Sequence, residues 1–561
     1  MEIIFGIKLF RKNKNNKIMQ QFNSVVNNNL PKGISKYFST CESVMICGSD
    51  HNEYAKESVL FIAGDIFDFP LPSNSISSLN RLLNQNNSFY DSLKNINGRF
   101  SLVHFNEKQD RLIIAKDQFG IKSIYYAEFN EGIIFASDLS YIFASKLVQY
   151  SFSPQIFLLN STVRMDAVSD LTWFNGVNQL EPATCLVIGK NNKPKITRYW
   201  IPDNQEKLFS EQDMCEMFIN SVKLRANFSN QGVLLSGGVD SSAVASVLFK
   251  LNKNVSLCMF SFDGLDEKDN IDLVYAKKFL KYYKKTGKTI HIEKKDLYET
   301  LKVIVSILKR PLVHGCEIGM YHTYKLMSEI GCKVIYTGQG ADIMWGEQDS
   351  QYFPILSPNF RVDQHSEYYL KNLLYQNDTA DWYYFLINKF YKFFDIEEEQ
   401  INDMIWNKIF SSYRAYNTDD LFKKPRIHEL HRNVAYINHM NDSFTSYFGM
   451  KEIPSFQDLN LANASFKLPE FIKNKPNKYF LKPFLKNAFE TILPEFILKR
   501  KKYGFPAPNI NDWKKELTVI LKDNSTPFNL KIKNSDLQQM TFSELLFLCT
   551  TKIWLEEFKL L

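Results

Sequence analysis

The sequence has little that would staple, anchor or metallate it. Its eight cysteines (Cys41, Cys47, Cys185, Cys215, Cys258, Cys316, Cys332 and Cys549) are scattered through 561 residues without a CxxC pair. That spacing excludes a disulfide framework or a zinc ribbon, and predicts reduced, mostly buried thiols in a cytoplasmic protein. The nine histidines include no HExxH, and the pair His428 and His431 reads as a solvated helical face. No apolar run approaches the ~20 residues that cross a bilayer. In the opening MEIIFGIKLFRKNKNNK the basic residues follow a short apolar run, so no secretory signal is expected. Neither an internal repeat nor GxxxxGK[ST] is present, which sets aside solenoids and the Walker phosphate cradle. Charge of one sign is scarce too. The formal +7 is compatible with anionic substrates but is no footprint for nucleic acid.

What is present divides into two halves. Hydrophobic residues at 45% and charged residues at 23% are ordinary for a globular chain, and the length predicts roughly two to four domains. Up to about Tyr199, short alternating segments are broken by turns: Arg99–Phe105, Arg111–Ala115 and Gly132–Ala136 each read as a strand. Such closely spaced strands predict an antiparallel, sheet-rich domain over residues 1–203. After Trp200-Ile-Pro-Asp203 the pattern changes. Apolar runs at Gly232–Leu235, Ser256–Ser261 and Lys333–Tyr336 alternate with helical stretches, the mark of a parallel sheet wrapped by helices over residues 204–561. The stretch from about Ser350 to Asn433 is dense in aromatics, for which core packing on helices is the expected use.

One motif carries chemistry. Leu235-Ser-Gly-Gly-Val-Asp-Ser-Ser242 follows an apolar run and precedes a segment whose Val244, Val247, Leu248 and Leu251 recur at helical spacing. Gly237 and Gly238 let backbone amides approach a ligand closely. A loop of amides at a helix N-terminus is an anion site. Ser236, Ser241 and Ser242 add hydroxyl donors, and Asp240 is placed to help hold the magnesium that accompanies a polyphosphate.

In this motif the chain resembles the ATP-pyrophosphatase enzymes, and further segments narrow the resemblance to the asparagine synthetase branch. Thr337-Gly-Gln-Gly-Ala-Asp-Ile-Met-Trp-Gly346 is similar to the second pyrophosphate and magnesium loop, with Asp342 as its aspartate and Gly338 and Gly340 beside it. Lys478-Tyr-Phe-Leu-Lys482, Leu493-Pro494 and Arg500-Lys-Lys-Tyr-Gly-Phe505 are similar to the family's C-terminal segments, whose basic loop aligns its lysine with Lys502. Asn97–Phe100, Lys116–Tyr126, Phe135–Asp138 and Arg198-Tyr-Trp200 resemble the glutaminase domain of the same enzymes. The resemblance runs from about residue 55 to about 515 and is poor near 350–433. It implies an α+β Ntn-hydrolase-like antiparallel sandwich followed by an α/β parallel-sheet domain of the adenine nucleotide α-hydrolase type.

The departures sharpen the reading. The family's glutaminase uses a cysteine directly after the initiator methionine; here Glu2 stands there, and a carboxylate cannot act as a low-pKa thiolate. The glutamine-site Asn-Gly appears as Ala63-Gly-Asp-Ile-Phe67, so glutamine hydrolysis is expected to be lost. Gln339 replaces the glutamate of asparagine synthetases and can position a substrate but not take up a proton. In the lost glutaminase, and in the segment Thr337-Gly-Gln-Gly-Ala-Asp-Ile343 as a whole, the chain resembles β-lactam synthetase, which has a tyrosine at the position of Gln339, and the lasso-peptide macrolactam cyclases, where an amine of the substrate attacks the adenylate. The implied reaction is ATP-dependent amide formation with release of AMP and pyrophosphate. Asp240 and Asp342 would hold Mg2+, Lys502 would stabilise the acyl-transfer step, and Lys478 and Gln339 would act in the same site. The implied partners are ATP and a carboxylate substrate, a peptide carrying its own amine, with a leader-peptide-processing protease alongside. The rival readings are an asparagine synthetase using ammonia or glutamine, and a catalytically silent scaffold. His439 and Asp442 are expected to be ordinary surface residues.

Overall fold

The computed structural model describes the chain outside Met1, residues 11–15, 32–33, 40–42, 49–50, 56, 69–75, 85–88, 164–169, 191–192, 204, 263–267, 346–383, 402, 405–422, 474–478, 480–481, 502–509, 525 and Leu561. Two compact units divide it. The first comprises Met1–Ile156, Val168–Pro202 and His431–Asp442; the second comprises Phe157–Ala167, Asp203–Leu430 and Ser443–Leu561.

The first unit is an antiparallel sandwich. Its strands are β1 (Ile4–Leu9), β2 (Ser35–Phe38), β3 (Val44–Gly48), β4 (His51–Ala55), β5 (Ser58–Asp68), β6 (Asn97–Asn106), β7 (Arg111–Lys116), β8 (Tyr125–Phe129), β9 (Gly132–Ala136), β10 (Asn178–Gln179), β11 (Thr184–Ile188) and β12 (Pro194–Arg198). They form two six-stranded sheets, ordered β10-β8-β9-β1-β3-β2 and β12-β11-β7-β6-β5-β4. Alternate residues of both sheets meet in one core: Val59, Phe61 and Ala63 of β5, Val103 and Phe105 of β6 and Leu112 and Ile114 of β7 face Ile4, Ile46, Ile133 and Phe135. The period of two predicted from the sequence is thus the period of a face buried against a second sheet.

The opposite face of β6 carries a buried polar residue. His104 on β6 is fully buried, and neither ring nitrogen has a hydrogen-bond partner among the described residues. Burial, with a smaller contribution from the nearby Arg111 guanidinium, pulls its pKa from 6.5 to about 3. The folded state therefore holds the neutral imidazole while the unfolded chain takes up a proton below its ordinary value. Stability contributed by His104 is complete above pH 6.5 and is lost as pH falls towards 3, at up to about 1.4 kcal/mol per pH unit. Denaturant midpoints at pH 7 and pH 5 should fall further apart for the native protein than for His104→Leu. Equal separations would show that this imidazole does not titrate with folding.

The second unit is built on a parallel sheet. β13 (Gln231–Leu234), β14 (Val255–Phe262), β15 (Lys288–Ile292), β16 (Val334–Thr337) and β17 (Lys451–Pro454) lie in the order β15-β14-β13-β16-β17, all neighbours parallel. Strands added after β13 go first to one side and then, from β16, to the other. β13 and β16 therefore flank a topological switch point, where a crevice opens beyond the carboxyl ends of the strands. Of the aromatic-rich stretch, the helix Tyr384–Phe394 is described. Its Phe390 and Phe394 pack on Phe157 and Phe528 with ring centroids 5.1–6.0 Å apart, which is core packing. Among the described residues no helix is long and apolar enough to cross a membrane.

Three expectations about polar residues are corrected. His428 and His431 are buried, not solvated. In the first unit the His431 ring packs edge-on against Trp200, and its Nδ1 lies 3.3 Å from the Arg198 guanidinium. Asp442 is buried as well and forms an ion pair with Lys122, while His439 is half-buried and hydrogen-bonded to the Tyr125 hydroxyl. Spacing on a helix identifies a face, but what that face meets is a tertiary matter.

Candidate active site

The second unit assembles the predicted anion loop at the switch point. β13 ends at Leu234, and the helix Val239–Lys250 begins after the loop Leu235–Gly238. Gly237 turns the chain with φ +68°, and a Cβ there would stand 2.4 Å from the Ala276 amide nitrogen, so only glycine fits. Gly238 is the N-cap, and no side chain caps the helix. The first intrahelical bond runs from Ser242 N–H to the Gly238 carbonyl, 3.1 Å, so the amides of residues 239–241 precede the helical ladder. Amides in that position, together with the positive end of the helix dipole, favour an anion.

The serines divide in role. The Ser241 hydroxyl accepts the Ser236 amide at 3.2 Å and lies 3.0 Å from the Ser236 hydroxyl, which in turn accepts the Gly238 amide at 3.3 Å. These bonds hold the loop in shape before any ligand arrives. Ser242 is not brought to the loop surface. It is fully buried, and its hydroxyl has no hydrogen-bond partner among the described residues.

The second loop is pressed against the first. A Cβ on Gly338 would lie 2.7 Å from Asp240 Cβ and 2.9 Å from Ser241 N. Glycine at 338 is therefore what lets the β16 loop close on the Asp240 turn. The loop is anchored below by the Thr337 hydroxyl, which donates to buried Glu452 at 2.6 Å. Gln339 is half-buried in the turn, Gly340 is buried with φ +96°, and the helix Ala341–Trp345 carries Asp342 in its first turn.

Asp240 and Asp342, 102 residues apart in sequence, converge on one ammonium. Lys482 Nζ lies 3.0 and 2.9 Å from the two Asp240 carboxylate oxygens and forms an ion pair with Asp342. The Lys482 side chain is almost fully buried, and its backbone adopts the left-handed region at φ +51°, a conformation that costs a non-glycine residue roughly 1 kcal/mol. Arg500 closes the other side of the loop: Nη1 donates to the Ser236 carbonyl at 3.2 Å, Nη2 pairs with Asp272, and the guanidinium lies 5.1 Å from the Tyr275 ring centroid. Lys482 and Arg500 stand at the ends of two motifs that carry the resemblance, and sequence alone assigns neither a role. The available signal was their basic character at the ends of those motifs. Lys478 and Lys502 lie outside the described residues.

The first unit fills the corresponding N-terminal position with charge. The Arg99 guanidinium pairs with Glu2 and, at 2.9 Å, with Asp65, while Lys122 pairs with Glu2 at 3.1 Å and with Asp442. Burial works against both cations, but Glu2 and Asp65 more than offset it for Arg99. Asp442 and Glu2 do so for Lys122, so both groups are held above their ordinary pKa. No described cysteine is prepared as a nucleophile there or elsewhere. Burial raises all seven described thiols, Cys47, Cys185 and Cys258 to about 12.

The asparagine synthase family model matches residues 215–539, and a glutamine amidotransferase domain model matches residues 84–200. The chain belongs to the asparagine synthase family. This is a family of ATP-dependent, carbon–nitrogen bond-forming ligases, and the antiparallel sandwich followed by a parallel-sheet unit is the fold the sequence predicted. "Asparagine synthetase [glutamine-hydrolyzing] 1" of Bacillus subtilis is 23% identical over 473 residues, 76% of this chain and 70% of that protein. "Amidase chry2" of Gibberella zeae is 26% identical over 299 residues, and "Amidase chyE" of Penicillium rubens is 24% identical over 294. The match spans only 42% of the length of either amidase.

Proposed function

We propose that this family member joins a carboxylate to an amine through an acyl-adenylate, with the carboxylate and the amine on one peptide, and that it releases AMP and pyrophosphate. The observation that carries the reading is the convergence of Asp240 and Asp342 beside the uncapped helix that follows the Ser236–Gly238 loop. Two carboxylates without a third ligand suit magnesium, which keeps its remaining positions for water and phosphate oxygens. Among the described residues no group of three or more His, Cys, Asp or Glu side chains could hold a metal. Asp240 and Asp342 would hold Mg2+, which would supply positive charge to the polyphosphate when bound. Ser236, Gly237, Gly238 and Ser241 cradle the leaving pyrophosphate, and the Lys482 ammonium supplies further positive charge as the substrate carboxylate attacks the α-phosphorus. Lys502, with Lys478 and Gln339, is assigned to the second half-reaction, in which the amine displaces AMP.

The intramolecular choice of amine rests on the first unit. Glu2, Arg99, Asp65, Lys122 and Asp442 satisfy one another in the place where glutamine hydrolysis would need a thiolate, so ammonia from glutamine is not supplied. A peptide whose terminal amine attacks its own activated Asp or Glu side chain needs no ammonia and gains the advantage of an intramolecular reaction. Ring closure of a lasso-type precursor, after a leader-peptide protease has exposed that amine, has this chemistry. A second reading, asparagine from aspartate and ammonium, is favoured by the names of the Bacillus relatives.

The test is a reaction of the protein with MgATP and a processed precursor peptide, followed by mass spectrometry and nucleotide analysis. The expected products are AMP, pyrophosphate and a peptide lighter by one water (about 18 Da), with no glutamate released from added glutamine. Formation of ADP and phosphate would overturn the adenylate. Asparagine from aspartate and ammonium, with the peptide unchanged, would select the second reading.

A further inference from the structure

Almost all of the chain's net charge sits in one stretch of surface. Residues 273–292 contain Lys277, Lys278, Lys281, Lys284, Lys285 and Lys288 and no Asp, Glu or Arg, a formal +6 out of +7 for the whole protein, so the remaining 541 residues carry only +1. All six lysines are exposed. Lys277, Lys278 and Lys281 lie on the helix Ile271–Tyr282, Lys284 and Lys285 on the turn that follows, and Lys288 at the start of β15. The same helix buries Leu273, Ala276, Phe279 and Leu280 on its inner face, so the lysines occupy its outer face together with exposed Val274 and Tyr282. Lys278 lies 4.3 Å from the Phe496 ring centroid, and Tyr282 also packs on Phe496, which makes an apolar floor among the charges.

This surface starts at the candidate active site. The first turn of the helix is what Gly237 packs against, and it supplies Asp272 and Tyr275 to Arg500. Exposed Lys501 follows directly. At about 1.5 Å per helical residue, the lysines run outward from that contact over on the order of 15 Å, the span of about five extended peptide residues.

We propose that this lysine face is the docking surface for an acidic segment of the peptide substrate, lying roughly five residues from the carboxylate that is activated. The inference rests on the peptide reading above and deepens it. Three observations favour an acidic peptide over other anions. The absence of arginine removes the planar fork that suits phosphate groups in nucleic acids. Leu273, Ala276, Phe279 and Leu280 are turned inward and only Val274 and Tyr282, two turns apart, are exposed, which leaves no continuous apolar stripe to enter a lipid surface. The charge begins at the rim of the nucleotide loop, where a tethered acidic tract would raise the local concentration of the reacting end.

The experiment measures binding without turnover, so its outcome is independent of whether ligation is observed. A fluorescein-labelled peptide of eight glutamates is titrated with the full protein and followed by anisotropy. A serine–glycine peptide, an eight-nucleotide polyuridine and phosphatidylserine vesicles are run in parallel. The acidic peptide is expected to bind at least about tenfold more tightly than either the neutral peptide or the RNA, and to weaken as salt screens the charges. The variant Lys277→Glu/Lys281→Glu/Lys284→Glu/Lys285→Glu should abolish that binding and leave ATP affinity unchanged. The same four positions changed to Gln should weaken it at least about tenfold, which separates charge loss from misfolding. Binding that survives both variants, equal or tighter binding of polyuridine, binding to vesicles alone, or no binding of the acidic peptide would each overturn the proposal.

Discussion

Asp342→Asn is expected to lower pyrophosphate release in the presence of MgATP and substrate by on the order of 10²–10³-fold. The change keeps the shape of the side chain and removes one of two carboxylates that converge beside the nucleotide loop. Asp240 retains both contacts to Lys482, so the loop should keep its conformation. The loss should appear in the metal dependence as well. Calorimetric titration with ATP should show magnesium strengthening binding to the native protein and having little effect on Asp342→Asn. Asp240→Asn should behave alike, because neither carboxylate alone replaces the pair. Turnover within a few-fold of native, with unchanged magnesium dependence, would remove Asp342 from the site.

In the first unit, Arg99→Met should cost about 3–5 kcal/mol of stability, because the methionine removes the cation from between Glu2 and Asp65 while the carboxylates stay buried. For a unit of this size that corresponds to a fall of roughly 10 °C in the midpoint of its thermal transition. Arg99→Met/Asp65→Leu should recover a large part of the loss, since a buried charge is removed together with its counter-charge. A transition unmoved by Arg99→Met would mean that this network is solvated and contributes nothing to folding. Glu2→Cys alone should not generate glutaminase activity, read as glutamate released from glutamine: Arg99 and Lys122 would favour a thiolate there, but Ala63 still stands where the glutamine-site motif has its asparagine.

The sequence by itself determined the class of each unit and the tight turn at the start of the helix Val239–Lys250, for a physical reason. Short apolar segments such as Val103–Phe105 and Leu112–Ile114, set between turn residues, suit antiparallel strands, here buried on both faces, and Ser-Gly-Gly between an apolar strand and a helical run suits a tight turn at a helix start. Glu2 and Gln339 were likewise legible as departures, because each changes what a side chain can do with a proton.

Only the tertiary structure decided which charges meet. Lys482 stands 242 residues from Asp240 and 140 from Asp342, yet all three share one ion cluster. Asp442, expected on a surface, reaches Lys122 across 320 residues of chain. His428 and His431 are buried for the same reason. A local pattern fixes the direction of a side chain relative to its own helix or strand; its solvent, its counter-ion and its ligand come from segments brought alongside by the fold.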